Sequence, residues 1–502
     1  MKKHCLLLLM IAVSFSSCKK FLEEKTQSDM TPETTEDYSQ LLMGTAYPLQ
    51  GDMFNHYLFL MDDDIQAHSN AATDEIEVIK GYDFFSWQPD AYARAADRGL
   101  GVGASSPYQK YYTKITGCNI ALQNGDLSRG TRMEKDQLMG EAYALRAFYY
   151  FHLVNLYARP YNDSTTTPDK SAGVPLLTTA NLSEKSVARS SVAAVYARIE
   201  KDADSAVARL KNWKKETSPY RMNHYAASLL ASRVYLFTEK WDKVIENADY
   251  VMSSNMPILD LNDWPPGFNL LFGDEPKPIY TEKTSETLWL YGWPDDFNGG
   301  TTTTFNMYYD ISNDLASHFE ANDLRSTIYF YPVPDFLSWL FKGPYLNIKR
   351  AVASNNFKQQ SGSSLRVTEA LLNRAEAYAQ KYIATGNTAF AQKALADLNF
   401  LRSKRFTPAN FVPVAMMPAK DLLQFCRDER RRETFAENIR WFDLRRYGMP
   451  SITHLYSPKP GVNERYVLKK NDPMYLYQIP ADAIMLNNLL EQNPAPGKRN
   501  PS

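Results

Sequence analysis

Tyr225-Ala226-Ala227-Ser228-Leu229-Leu230-Ala231-Ser232-Arg233-Val234-Tyr235-Leu236-Phe237, then Thr238-Glu239-Lys240, then Trp241-Asp242-Lys243-Val244-Ile245-Glu246-Asn247-Ala248-Asp249-Tyr250-Val251, is the stretch that decides the fold. Apolar residues recur in both runs at spacings of three and four, the period of a helix buried along one face. The polar triplet between them leaves room only for a tight return. Small or medium residues at Ala231, Ser232, Val244 and Ala248 let the two helices approach, Tyr235 is expected to fill the gap to the next pair, and Pro257 closes the unit. This is the pattern of a tetratricopeptide repeat of about 34 residues.

Outward from this pair the same period runs through Tyr108–Leu122, Asp136–Tyr157, Ser191–Leu210, Thr368–Tyr382, Phe390–Leu401 and Lys420–Tyr447. Thr368–Tyr382 and Phe390–Leu401 form a second pair with a longer connection. Strand-like alternation is short and scattered, so the expected class is mainly α, with tetratricopeptide-like helical pairs as the scaffold. Three stretches differ: Asp62–Pro107, Asp260–Asp310 and Tyr329–Gly362 combine Pro, Gly, Asn and Asp with large aromatics. Long irregular segments of that composition are predicted to be large ordered loops carrying function.

The N-terminus reads Met1-Lys2-Lys3, an apolar run from Cys5 to Phe15, and Ser16-Ser17-Cys18 before polar sequence. The run is about half the roughly 20 residues a membrane-spanning helix needs, which favours a cleaved export signal. Small residues directly before a cysteine resemble a lipobox, so Cys18 is expected to carry diacylglycerol and to become the mature N-terminus. Two or three acyl chains give stable anchoring where one holds marginally. The expected division is a signal peptide over 1–17, a lipidated tether over 18–37, an N-terminal helical region over 38–255, and a C-terminal region over 256–502 with loop insertions at 260–362.

Charge is balanced, 56 Lys and Arg against 57 Asp and Glu in 502 residues, which speaks against a nucleic-acid or polyphosphate partner. Beyond Cys5 and Cys18 only Cys118 and Cys426 remain, both within helical patterns, so no disulfide scaffold is expected. Aromatic residues make up 13% of the chain, 32 of them Tyr, enough to supply recognition surfaces as well as packing.

A set of motifs in order along the chain carries a family resemblance. They are Cys18 followed by Lys19-Lys20-Phe21-Leu22-Glu23-Glu24; Gly140-Glu141 through Leu145-Arg146-Ala147-Phe148-Tyr149-Tyr150; Glu429-Arg430-Arg431-Arg432-Glu433 with Arg440-Trp441-Phe442-Asp443-Leu444-Arg445-Arg446; and Ile479-Pro480 with Gln492-Asn493-Pro494. Together they resemble the SusD/RagB family. Departures occur at Glu437-Asn438-Ile439-Arg440, where Glu-Gly-His-Arg is frequent, at Gln478-Ile479-Pro480, and at Asn487-Asn488. The resemblance implies four tetratricopeptide-like pairs, display on a Gram-negative outer membrane, nutrient capture, and a SusC-like TonB-dependent transporter as partner.

Capture of glycans needs aromatic faces for the C–H faces of sugar rings and Asp, Asn or Arg for their hydroxyls. Two loops fit. In Tyr82–Asp90, whose position resembles that of a glycan-site loop in family members, Tyr82, Trp87 and Asp90 are the candidates. In Trp289–Tyr309 they are Trp293, Asp296 and Asn298. Trp87 and Trp293 are expected to share one platform, although packing is the default role of any one aromatic. The ligand is expected to be an oligosaccharide that is captured and not cleaved, the alternatives being a peptide-capturing member of the same family and, after it, a lipid-anchored glycoside hydrolase.

Enzyme chemistry finds little support. The seven His residues form no metal-ligand pair, and Gly99-Leu100-Gly101-Val102-Gly103 lacks the context of a phosphate loop. His152 falls on a helical core stripe. Asp62-Asp63-Asp64 with Asp74 and Glu75 lacks EF-hand spacing, so no metal and no cofactor are assigned. The run Arg427–Arg446 interleaves Asp428, Glu429, Glu433 and Glu437 at helical spacing and is read as a helix with surface ion pairs, each contributing little.

Overall fold

The computed structural model describes residues 31–48, 57–98, 107–180, 186–213, 215, 218–264, 279–292, 308–337, 342–349 and 362–502. Residues 1–17, expected to be an export signal, and Cys18, Trp293, Asp296 and Asn298 lie outside these residues.

The helices that build the scaffold are α1 (Thr35–Thr45), α2 (Glu75–Phe85), α3 (Ala91–Asp97), α4 (Pro107–Asn124), α5 (Arg132–Tyr157), α6 (Val192–Leu210), α7 (His224–Phe237), α8 (Trp241–Met252), α9 (Val367–Thr385), α10 (Thr388–Ser403), α11 (Ala419–Thr434), α12 (Arg440–Arg446) and α13 (Ala481–Leu486). Pairs form between α1 and α4, α5 and α6, α7 and α8, and α9 and α10, and each pair packs on the next through α4–α5, α6–α7 and α8–α9. That succession is a short solenoid of tetratricopeptide-like pairs, so the mainly α class holds. Four antiparallel two-stranded ribbons decorate it: β1 (Ile65–Ala67) with β3 (Tyr309–Ile311), β2 (Thr287–Tyr291) with β6 (Ser363–Arg366), β4 (Phe330–Pro332) with β5 (Tyr345–Asn347), and β7 (Ile452–Tyr456) with β8 (Glu464–Leu468).

Local chemistry explains the helix ends. Thr131 caps α5, its side chain accepting from Glu134 N while the Glu134 carboxylate accepts from Thr131 N, a reciprocal cap. Small residues set the helix spacing: Ser228 Oγ donates to Asn247 Oδ1 at 2.9 Å and Ser232 Oγ to Val244 O at 3.2 Å between α7 and α8. A Cβ at Gly140 would lie 2.6 Å from Leu210 Cγ, so glycine is what lets α5 approach α6. Tyr235 differs from expectation in direction. Its hydroxyl donates to Asp204 on α6 at 2.8 Å, so it closes the gap to the preceding pair rather than the next.

Three further expectations are corrected. The stretch Asp62–Pro107 is not an irregular loop, since it contains α2 and α3. Gly81 and the buried Asp83 interrupt the apolar stripe of α2, and Gly81 is required because a Cβ there would sit 2.7 Å from the Tyr309 ring. Lys420–Tyr447 is two helices. Ala436 (φ 61°) and Asn438 (φ 57°) take left-handed backbone between α11 and α12, although Phe435 and Ile439 carry the apolar period across the break. The arginine run, finally, is buried: Arg430, Arg431, Arg432, Arg445 and Arg446 all lie in the interior.

These arginines form a staple network. Glu433 on α11 accepts from Arg405 Nε and Nη2 at 2.9 Å each, from Arg366 Nη1 at 3.1 Å, from Arg325 Nη1 at 3.2 Å and from the Tyr329 hydroxyl at 3.0 Å. Arg430 joins Asp443 on α12 to Asn373 on α9, and Arg446 grips Glu376 on α9 at 2.6 and 2.7 Å. Arg146 on α5 does the same for Asp202 on α6 and Asn119 on α4. Such pairs repay their desolvation only when every group is bonded, and removing one partner leaves a buried charge.

Candidate ligand-binding site

The site begins at the turn after α2. Trp87 (φ 52°) and Asp90 (φ 54°) both hold left-handed backbone, which is strained for a bulky residue and persists only where neighbours enforce it. Here they do. Trp87 is fully buried, donates from Nε1 to Met61 O at 2.9 Å and stacks on His454 at 4.1 Å. Gln88 donates to Arg499 O at 2.7 Å and accepts from Arg499 N at 3.2 Å, so the C-terminal strand of chain straps the turn from outside. The buried Asp83 holds α3 through Arg98 at 2.5 Å and Arg94 at 3.5 Å. The turn thereby aims Asp90 and α3 at a fixed point.

That point is a cavity of about 900 Å³ bounded by α3, the start of α4, the segment Met474–Ile479, α13 and Gln492. Its inner surface is apolar and aromatic: Phe84, Ala91, Tyr108, Met474, Tyr477 and Ile479 are all buried. Half-buried Tyr92 and Tyr112 complete a tyrosine wall, with Tyr92 edge-on to Tyr477 at 5.5 Å and Tyr108 beside Tyr112 at 4.9 Å. The mouth is polar, with Asp90, Gln109, Asp482 and Gln492 exposed and Arg94 and Gln478 half-exposed. Burial, assisted by Tyr477 beside Tyr92 and Tyr108 beside Tyr112, pushes both phenols well above their ordinary range. They stay neutral, and Tyr112 donates its hydroxyl to Pro175 O at 2.9 Å.

Of the residues expected from sequence, Asp90 lines this cavity. Trp87 does not, because its indole is consumed by packing against Met61 and His454; this corrects the expectation of an exposed platform at that position. Tyr82 faces the β7–β8 ribbon, its hydroxyl 3.1 Å from that of Tyr466 and its ring edge-on to Tyr456 at 5.2 Å, with Arg98 over its face. The base of the second aromatic loop does reach α2: the Tyr309 ring lies 5.2 Å from Phe85 and its hydroxyl donates to Val78 O. Sequence reasoning missed Tyr92, Tyr108, Tyr112, Tyr477, Gln109 and Asp482. One signal was present, the i, i+4 tyrosines at the start of α4, and the landmark residues Ile479, Pro480 and Gln492 line the same cavity.

Asp62, Asp63 and Asp64 bring carboxylate oxygens within 4.8 Å of one another. Arginines already hold two of them: Arg440 binds Asp63 at 2.7 and 2.8 Å and Arg431 binds Asp64 at 2.7 Å, while Asp62 Oδ1 accepts from Asp64 N at 3.0 Å. Asp74 is spent on Asn70 N and Ala71 N and on Lys342 at 3.3 Å. The cluster is a structural ion-pair network.

A helical solenoid with an aromatic-walled cavity suits a binding protein, and comparison with known proteins gives its family. A family model described as starch-binding associating with outer membrane matches residues 20–236, and the model of the SusD family matches 339–496. The chain belongs to the SusD/RagB family, and is a SusD-type binding protein. A SusD-like protein of Formosa agariphila is 24% identical over 440 residues, 79% of this chain and 81% of that one. Two solved structures share the fold. One is a SusD superfamily protein from Bacteroides thetaiotaomicron (TM-score 0.69, 20% identity, 92% of this chain and 100% of that one). The other is a SusD-like carbohydrate binding protein from Bacteroides vulgatus (TM-score 0.63, 19% identity, 91% and 97%). No helix among the described residues is long and apolar enough to cross a membrane.

Proposed function

We propose that the protein captures oligosaccharides at the cell surface in the cavity between α3, α4 and α13, without cleaving them, and hands them to a SusC-like TonB-dependent transporter of the outer membrane. The observation that carries this reading is the cavity itself. Tyr92, Tyr108, Tyr112 and Tyr477 wall it with aromatic rings for the ligand's apolar parts, and Asp90, Gln109 and Asp482 at the mouth offer hydrogen bonds to hydroxyls. A SusD-like carbohydrate binding protein with the same fold supports the ligand class. Anchoring through Cys18 supports placement at the outer membrane, in keeping with the starch-binding family model.

The experiment is a glycan array on the full-length mature chain, followed by isothermal titration and a reducing-end assay on the best ligand. Capture predicts saturable binding with no release of reducing ends. Release would make the protein a hydrolase, and peptides retained in place of glycans would move the ligand to the peptide class.

A further inference from the structure

We infer that the ligand is a saccharide bearing an apolar substituent of about aryl size, the substituent resting on the cavity floor and the sugar hydroxyls at the mouth. This deepens the proposed capture of saccharides at the same cavity and rests on it. The lining grades from an apolar floor to a polar mouth. Phe84, Ala91, Tyr108, Met474, Tyr477 and Ile479 are each at most 6% exposed and form the floor, while Asp90, Gln109, Asp482 and Gln492 stand in solvent.

An unsubstituted sugar ring carries hydroxyls around its whole perimeter. Pushed onto that floor, those facing inward would lose water and gain few partners, and an unsatisfied buried hydroxyl is unfavourable. A ring confined to the mouth would leave most of a 900 Å³ space without a matching surface. An aryl group solves both difficulties, since its faces and edges meet the tyrosine wall in the offset and edge-on contacts aromatic pairs prefer. Among the described residues the floor carries no ionised side chain, and Arg94 at the edge is drawn toward Asp83 at 3.5 Å, so the substituent is neutral. Leu486 on α13 also lines the cavity while 87% exposed, which continues the apolar surface outward.

The test titrates wild-type protein with paired methyl and p-nitrophenyl glycosides of the same sugars, glucose, galactose, mannose and xylose. The p-nitrophenyl member of the preferred sugar should bind at least about tenfold more tightly than its methyl partner, the scale expected for burying an aryl ring. Ala93→Trp, at an exposed position on the cavity wall, should narrow the way to the floor and abolish that preference. Leu486→Asp, at an exposed position, should reduce the preference and serves if Ala93→Trp fails to fold. Equal affinities for methyl and aryl members would overturn the inference and leave saccharide capture standing. An aryl preference that survives both substitutions would overturn the placement of the substituent. Binding of neither glycoside, with tripeptides containing Phe or Leu binding instead, would overturn both the inference and the saccharide reading.

Discussion

Glu433 is where the interior depends most on a single group. Burial alone would raise its carboxyl pKa, but Arg405, Arg366 and Arg325 outweigh burial and hold it well below the usual range. Replacing it with Gln leaves three guanidinium groups facing a neutral amide, so Glu433→Gln should destabilise by about 3–5 kcal/mol in a urea melt. A loss below about 1 kcal/mol would show that the network relaxes. Because the folded pKa is depressed, this carboxylate stabilises above its unfolded value of about 4.3 and the contribution fades as pH falls below it. His152 has the opposite chemistry but the same slope. Burial pushes its pKa down to about 3, and the ring, 2.8 Å from Phe148 O through Nδ1, remains neutral in the fold. The unfolded chain takes up a proton near pH 6.5 that the native ring refuses, so stability falls as pH drops from about 6.5 toward 3. His152→Gln should make the decline of Tm between pH 7 and pH 4.5 shallower, and an unchanged slope would reject the assignment. The motifs that carried the family resemblance, Glu141, Arg146, Glu429–Glu433 and Arg440–Arg446, turn out to be these staples: Arg221 binds Glu141 at 2.6 and 2.9 Å, and Arg146 binds Asp202. Their type and order were readable in the sequence, whereas their burial was not. Alternating Arg and Glu at helical spacing looks the same on a solvated face and in a core.

At the scale of elements, legibility followed the purity of the apolar stripe. α6, α7, α8 and α10 bury alternating Leu, Ala, Val and Ile, and their bounds differ from expectation by one or two residues. α2 escaped because its inward face includes Gly81 and Asp83, each placed by a tertiary partner, Tyr309 and Arg98 respectively. The break between α11 and α12 escaped for a related reason. Glu437 is pulled out of helical register by Lys349 at 2.7 Å and by Arg366 at 2.5 Å, groups about 70 to 90 residues away that local pattern cannot anticipate. The turn Trp87–Asp90 illustrates the same limit at the candidate site, where aromatic content suggested exposure and tertiary packing buried the indole. Two expected outcomes belong here. Gly81→Ala forces a Cβ into the Tyr309 ring and should cost about 1–3 kcal/mol, read as a fall in Tm, with no fall contradicting the close approach. Gln88→Ala removes the backbone anchor of the strap at Arg499, leaving its guanidinium bonds to Val467 O and Asp472, without touching the cavity lining. It should speed amide exchange in residues 495–502, and unchanged exchange would place the strap's anchorage elsewhere.

For the whole molecule the arrangement along α4 matters most. This 18-residue helix, about 27 Å long, has the cavity at its N-terminal end through Tyr108, Gln109 and Tyr112. At its other end the chain turns through Arg129, which pairs with Glu33 and Thr35 at the root of the tether. The proposed lipid at Cys18 would therefore hold the body by the pole opposite the cavity, through a tether of about 15 residues that reaches at most about 50 Å. Cys18→Ala should release the protein from membranes while leaving ligand affinity unchanged, as measured by fractionation and titration side by side. A fall in affinity would mean that anchoring and binding are coupled.

The central claim is that the cavity at α3, α4 and α13 is where ligand is captured. The most direct measurement is isothermal titration of the strongest array oligosaccharide against wild-type protein and against a variant combining Asp90→Asn, Gln109→Ala and Asp482→Ala. All three side chains are exposed at the mouth, so the fold should be kept and Tm should move little. The account predicts an affinity loss of at least about tenfold, the loss of a hydrogen bond or two. Unchanged affinity in a folded variant would contradict it.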